Sequence, residues 1–125
     1  MTLLDLWIIT NDSGIVVYRK VKDISTDDDC LGGFISAFIY YIKNRFHQPL
    51  ETFSVSSFQF YLLREHKITF MGKFHRQLKE SIVLRELVEF RDKFFANFPR
   101  DIFDNWDSDV SKFIEFDYVT DSSSY

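Results

Sequence analysis

Apolar residues crowd the first segment of the chain. Leu3, Leu4, Leu6, Trp7, Ile8 and Ile9 run almost without a break, and a second apolar run, residues 15–18, follows the turn cluster Asn11-Asp12-Ser13-Gly14. Two short β-rich runs around such a cluster predict a hairpin. Both faces of these strands are apolar, so a layer is expected on each side of the sheet. Leu31, Phe34, Ile35, Phe38, Ile42 and Phe46 then recur at three- and four-residue spacing, which predicts a helix. Asp27, Asp28 or Asp29 would cap it, and Pro49 closes the segment.

Alternation returns in residues 52–65. Phe58, Phe60 and Leu62 alternate with Gln59, Tyr61 and Leu63, and beyond a tight Glu65-His66 turn Ile68, Phe70, Gly72 and Phe74 alternate with Thr69, Met71 and Lys73. A second hairpin is predicted, preceded by a short strand over 52–55 with Ser56-Ser57 as the break. Residues 77–98 have helix period: Leu84, Leu87, Val88, Phe94, Phe95 and Phe98 share a face, and Lys79, Arg85, Glu86, Glu89, Asp92 and Lys93 lie largely opposite. Pro99 stops this helix. Asp107 or Ser108 is expected to start a shorter helix with Val110, Phe113 and Ile114 inward.

The order ββαβββαα predicts an α+β fold, a five-stranded, mostly antiparallel sheet with helices on both faces. Residues 1–120 read as a single domain and 121–125 as a frayed tail.

Composition narrows the functions. The chain has 125 residues with 46% hydrophobic and 18% aromatic positions, 15 of them Phe, and only four Gly and two Pro, which argues against disorder. A net charge of −4 disfavours a nucleic-acid partner held by overall positive charge. The single cysteine, Cys30, excludes an intrachain disulfide and a multi-cysteine zinc site. No run of 18 apolar residues is present, and Asp5 interrupts a first segment that lacks a basic start, so neither a membrane span nor a signal peptide is expected. A reducing, cytoplasmic location is the expectation.

No residue pattern announces catalysis. His47, His66 and His75 lack metal-spaced neighbours, so surface or hydrogen-bonding roles are expected. Asp104, Asp107 and Asp109 superficially resemble a calcium loop but lack its turn glycine, and a capped helix start is the simpler reading. Asp12-Ser13-Gly14 offers a hydroxyl without a nearby base, and Gly32-Gly33 lacks the spacing of a phosphate loop. No metal and no cofactor is expected.

Two surfaces stand out. Residues 64–100 hold nine bases and five acids, including Lys67, Lys73, Arg76 and Lys79. This stretch is either a solvated hairpin edge or a face for an acidic protein or an anionic membrane. On the first helix, the side opposite the apolar stripe carries Gly32, Gly33, Ser36, Ala37, Tyr40, Lys43 and Asn44. It has no acid and one base, where a solvated helix side usually carries more charge. Small residues allow close approach and Tyr40 supplies an anchor, so Gly33, Ser36, Ala37, Tyr40, Lys43 and Asn44 form a candidate partner interface. The alternative is cover by the chain's own loop, residues 24–29.

The apolar first hairpin, the Leu31-Gly-Gly-Phe-Ile-Ser-Ala-Phe helix and the 58–74 hairpin feeding a long helix together resemble the longin family. The pattern Phe98-Pro99, Trp106 and Phe113-Ile114 is similar to stand-alone longin proteins of archaeal type, relatives of eukaryotic trafficking modules; the roadblock fold is the near neighbour. The resemblance implies a longin/profilin-like fold and a non-enzymatic scaffold that pairs with a longin or roadblock protein, itself or another, and presents a platform to a small GTPase. It implies no membrane span, with peripheral membrane contact left open, and the absence of a heptad segment after Tyr118 departs from the SNARE type. A rival reading is a small-molecule-sensing domain of profilin- or PAS-like topology, its Phe residues lining a pocket against the sheet. A hydrolase or transferase is the third and least supported.

Overall fold

Five strands pair into one sheet among the residues that the computed structural model describes, 3–11, 14–21, 50–55 and 57–116. They are β1 (Asp5–Thr10), β2 (Val16–Val21), β3 (Leu50–Val55), β4 (Phe58–Glu65) and β5 (Ile68–His75), followed by helix α1 (Glu80–Asn97) and a 3-10 turn at Ser111–Phe113. The sheet order is β2-β1-β5-β4-β3, and every neighbouring pair is antiparallel. The helix expected over 31–46, the tail 121–125, Cys30, His47 and the Asp27–Asp29 cap lie outside the described residues.

β1 and β5 form the centre, and their sequences explain why. Every residue of β1 is buried, and β5 is buried from Ile68 through Phe74. Alternation sorts side chains onto two faces. Leu6, Ile8, Tyr61, Leu63, Ile68, Phe70 and Phe74 join the α1 residues Val83, Leu87, Phe90 and Phe94 in one cluster, whereas Trp7, Ile9, Phe60, Leu62 and Met71 form a second cluster. Both faces are therefore apolar and buried, as the unbroken hydrophobic run of β1 predicts. α1 packs on the first face.

β2 continues past the predicted end at Tyr18 into Arg19 and Lys20. Charge is tolerated there because β2 pairs with a described strand only on its β1 side, and the Arg19 guanidinium lies 5.9 Å from the centre of the Trp7 ring. The β1–β2 register shifts between Ile8 and Ile9. That irregularity lets the consecutive residues Val17 and Tyr18 both reach the α1-side cluster, which strict alternation forbids.

At Gly72 the helix packs closely on the sheet. A Cβ built there would stand 3.0 Å from Leu87 Cδ2 and closer still to Leu3 and Phe74. α1 begins at Glu80 rather than at 77, because a turn intervenes in which Leu78 N donates to His75 O at 3.3 Å. Its buried stripe is Val83, Glu86, Leu87, Phe90 and Phe94. Glu86, placed on the outer side by periodicity, is 9% exposed, while Arg85, Glu89 and Asp92 face solvent as expected.

Phe94 is the hub of the C-terminal packing. Among the described residues six rings surround it, those of Phe70, Phe95, Phe98, Phe103, Phe113 and Phe116, at centroid distances of 4.9–6.4 Å. The expected last helix is reduced to the 3-10 turn. Phe113 is fully buried, but Val110 and Ile114, expected inward, are 39% and 62% exposed. A three-residue turn is too short to present three side chains to one side.

Candidate functional site

Two hairpin turns and one loop meet at the same end of the sheet. Pairing of Thr10 with Ile68 brings the β1–β2 turn beside the β4–β5 turn. Asn11 joins them. Its backbone N–H donates to Lys67 O at 2.9 Å, its side-chain Nδ2 donates to His66 O at 3.2 Å, and its Oδ1 accepts from the buried Thr69 hydroxyl at 2.5 Å. Thr10 closes the first turn: its N–H donates to Ile15 O, and its hydroxyl oxygen accepts from Ile15 N. The second turn is centred on His66 and Lys67, one residue later than the sequence suggests, and His66 sits at φ 56°, the left-handed region that glycine usually fills.

The loop after α1 closes the third side. Pro99 O accepts from Ile102 N and Asp101 O from Asp104 N, so the chain turns twice. Phe103, packed on Phe94, Phe113 and Trp106, anchors it from below. Arg91 and Arg100 of α1 and its exit both reach Glu65 at the end of β4, at 3.5 and 2.9 Å. Asp104 lies over the second turn: its Oδ1 stands 3.0 Å from Lys67 Nζ and 3.2 Å from His66 Nε2, which donates to it when that nitrogen carries the proton. The Lys67 and then the His66 hydrogen bonds hold the Asp104 carboxyl below its ordinary range.

These elements enclose an open cavity of about 600 Å³. Its wall combines Ile15, Phe103 and Trp106 with Arg64, His66, Lys67 and Asp104. The acids of the loop are each engaged differently. Asp107 Oδ1 accepts from Asp109 N, and Asp109 Oδ1 accepts from the backbone and hydroxyl of Ser111. The 3-10 turn starts after Val110, later than the Asp107 or Ser108 start expected; Asp109, one residue before that cap, accepts from Ser111, and these hydrogen bonds lower its pKa. Among the described residues no three His, Cys, Asp or Glu side chains converge as a metal centre requires.

The structure breaks up the basic stretch. Lys73 is buried, 3.7 Å from the fully buried Asp5, with its ammonium 4.0 Å from the centre of the Phe58 ring. Lys67 and Arg76 flank opposite ends of β5, about 25–30 Å apart at strand rise. These bases therefore do not form one docking face. The candidate interface Gly33, Ser36, Ala37, Tyr40, Lys43 and Asn44 lies outside the described residues. Among the described residues the Phe rings of the α1 side pack around Phe94, and of them Phe103 also lines the cavity. The cavity was not foreseen, although Arg64, His66 and Lys67 clustered at a hairpin tip were its visible signal.

No helix among the described residues is long and apolar enough to cross a membrane. No protein-family model matches the chain, and no curated protein matches it. Among solved structures, Myxococcus xanthus MglB is similar over 77% of this chain and 85% of its own, with a TM-score of 0.49 and 10% identity. A likeness at that level carries neither a family nor a function to this chain.

Proposed function

We propose that this chain is a non-enzymatic protein-interaction scaffold of longin-like build, dimerising and acting in small-GTPase regulation or vesicle-trafficking-type processes in the cytoplasm. The observation that supports it is the architecture. Two strands, then three strands and a long helix close into a single antiparallel sheet with that helix on one face, which is the build implied by the resemblance of the sequence to longin proteins. The partner is a longin or roadblock protein, a second copy included, together with a small GTPase. The contact face is the side carrying Gly33, Ser36, Ala37, Tyr40, Lys43 and Asn44.

Paired substitutions test the reading. Ala37→Arg adds bulk where contact is close, and Tyr40→Glu puts a charge into a desolvated patch. Both should weaken association and leave the circular dichroism spectrum unchanged, and Lys93→Glu on α1 should change neither. Loss of folding in both variants makes the face internal, and full association in both moves the interface elsewhere.

A further inference from the structure

The cavity at the sheet end has a use on which the scaffold reading does not draw. Its volume of about 600 Å³ falls within the range of small-molecule sites, about 300–1,000 Å³. Its lining has two characters. Phe103 and Trp106, packed edge-to-face at 5.3 Å, give an apolar wall, and Arg64, His66 and Lys67 give a basic rim. Among the described residues that line it Asp104 is the one acid, and its carboxylate stands on Lys67 and His66 as that of a bound acid would.

We propose that this cavity binds a small organic acid, whose carboxylate replaces that of Asp104 on Lys67 and His66 and whose flat apolar body lies against Phe103 and Trp106. The receiving groups are preorganised. Asn11 holds the carbonyls of both His66 and Lys67, so the turn that presents the two side chains is fixed before a ligand arrives. The resident carboxylate is displaceable. Its side chain is 43% exposed, and a pair open to water is weakly held. Asp104 thus acts as a built-in competitor. The lowered pKa of Asp104 fits a position that favours an anion.

The test uses the full chain and phenylacetate as probe, with uncharged phenylacetamide as control, followed by amide NMR shifts and calorimetry. Asp104→Asn should tighten phenylacetate about fivefold, the effect of removing one unit charge about 4 Å away in water. Shifts should centre on the His66–Lys67 turn and the Trp106 indole N–H. Lys67→Ala in the Asp104→Asn background should abolish the gain, and phenylacetamide should not bind. Binding by phenylacetamide as strong as by phenylacetate, no phenylacetate binding to Asp104→Asn, or indifference to Lys67→Ala overturns the proposal. If Asp104→Asn does not fold, Lys67→Ala against the parent chain carries the same decision. None of these outcomes involves a protein partner, so failure here leaves the scaffold reading standing.

Discussion

Gly72→Ala probes the seat of α1 on the sheet. The new Cβ would stand 2.7 Å from Phe74 Cε2, 2.9 Å from Leu3 Cδ1 and 3.0 Å from Leu87 Cδ2, where carbon atoms normally rest about 3.5–4.0 Å apart. None of the three can retreat into water: Phe74 and Leu87 are fully buried and Leu3 is 3% exposed. The Phe74 ring is further held edge-to-face against Tyr61 at 5.9 Å. Overpacking of this kind costs about 1–3 kcal/mol. The lower chain entropy of alanine in the unfolded state returns about 0.4–1 kcal/mol. A net loss of about 1–2 kcal/mol is expected. Leu87→Ala alone should cost about 2–5 kcal/mol through its cavity. In the Gly72→Ala background it should cost about 1 kcal/mol less, because the removed side chain makes room for the new methyl. Urea titration followed by tryptophan fluorescence reads this, since Trp7 is fully buried and Trp106 half-buried. A Gly72→Ala protein as stable as its parent, or strict additivity with Leu87→Ala, would show that α1 does not press on β5 at this point.

Three other expectations concern charge and strain. Asp5→Ala leaves the Lys73 ammonium buried with one partner fewer and should destabilise by about 3–5 kcal/mol in urea titration; a loss below about 1 kcal/mol would mean that Lys73 escapes to solvent. His66→Val places a β-branched residue at a positive φ and should cost about 1–2 kcal/mol, whereas His66→Gly should be tolerated; equal melting temperatures for the two would refute strain at the turn. Asp104 and Asp109 have folded pKa values below their ordinary 3.8, so the stability each contributes is present above that value and is lost as pH falls through the lower folded one. Acid unfolding of Asp104→Asn should accordingly be shallower than that of the parent below about pH 4, and superimposable curves would count against the Lys67 and His66 contacts.

Local pattern made most of the sheet legible. Alternation in 58–74 marks β4 and β5, and the unbroken apolar run of residues 6–9 correctly implies burial on both faces. Four features escaped it, for identifiable reasons. Glu86 is buried although periodicity sets it outward, because a helix against a broad sheet buries more than one narrow stripe. Lys73 reads as surface charge until the register sets it directly across from Asp5, 68 residues earlier in the chain. Val110 and Ile114 are exposed because the expected helix is one 3-10 turn. The cavity depends on three segments that only the β1–β5 pairing and the exit from α1 bring together, so no window of sequence contains it.

Sedimentation velocity on the purified chain, alone and mixed with small GTPases loaded with GDP or with a non-hydrolysable GTP analogue, bears most directly on the scaffold reading. A dimer alone, and a faster-moving complex with a GTPase in one nucleotide state that Tyr40→Glu abolishes, is the expected result. A monomer at every concentration that co-sediments with no GTPase in either state would contradict it.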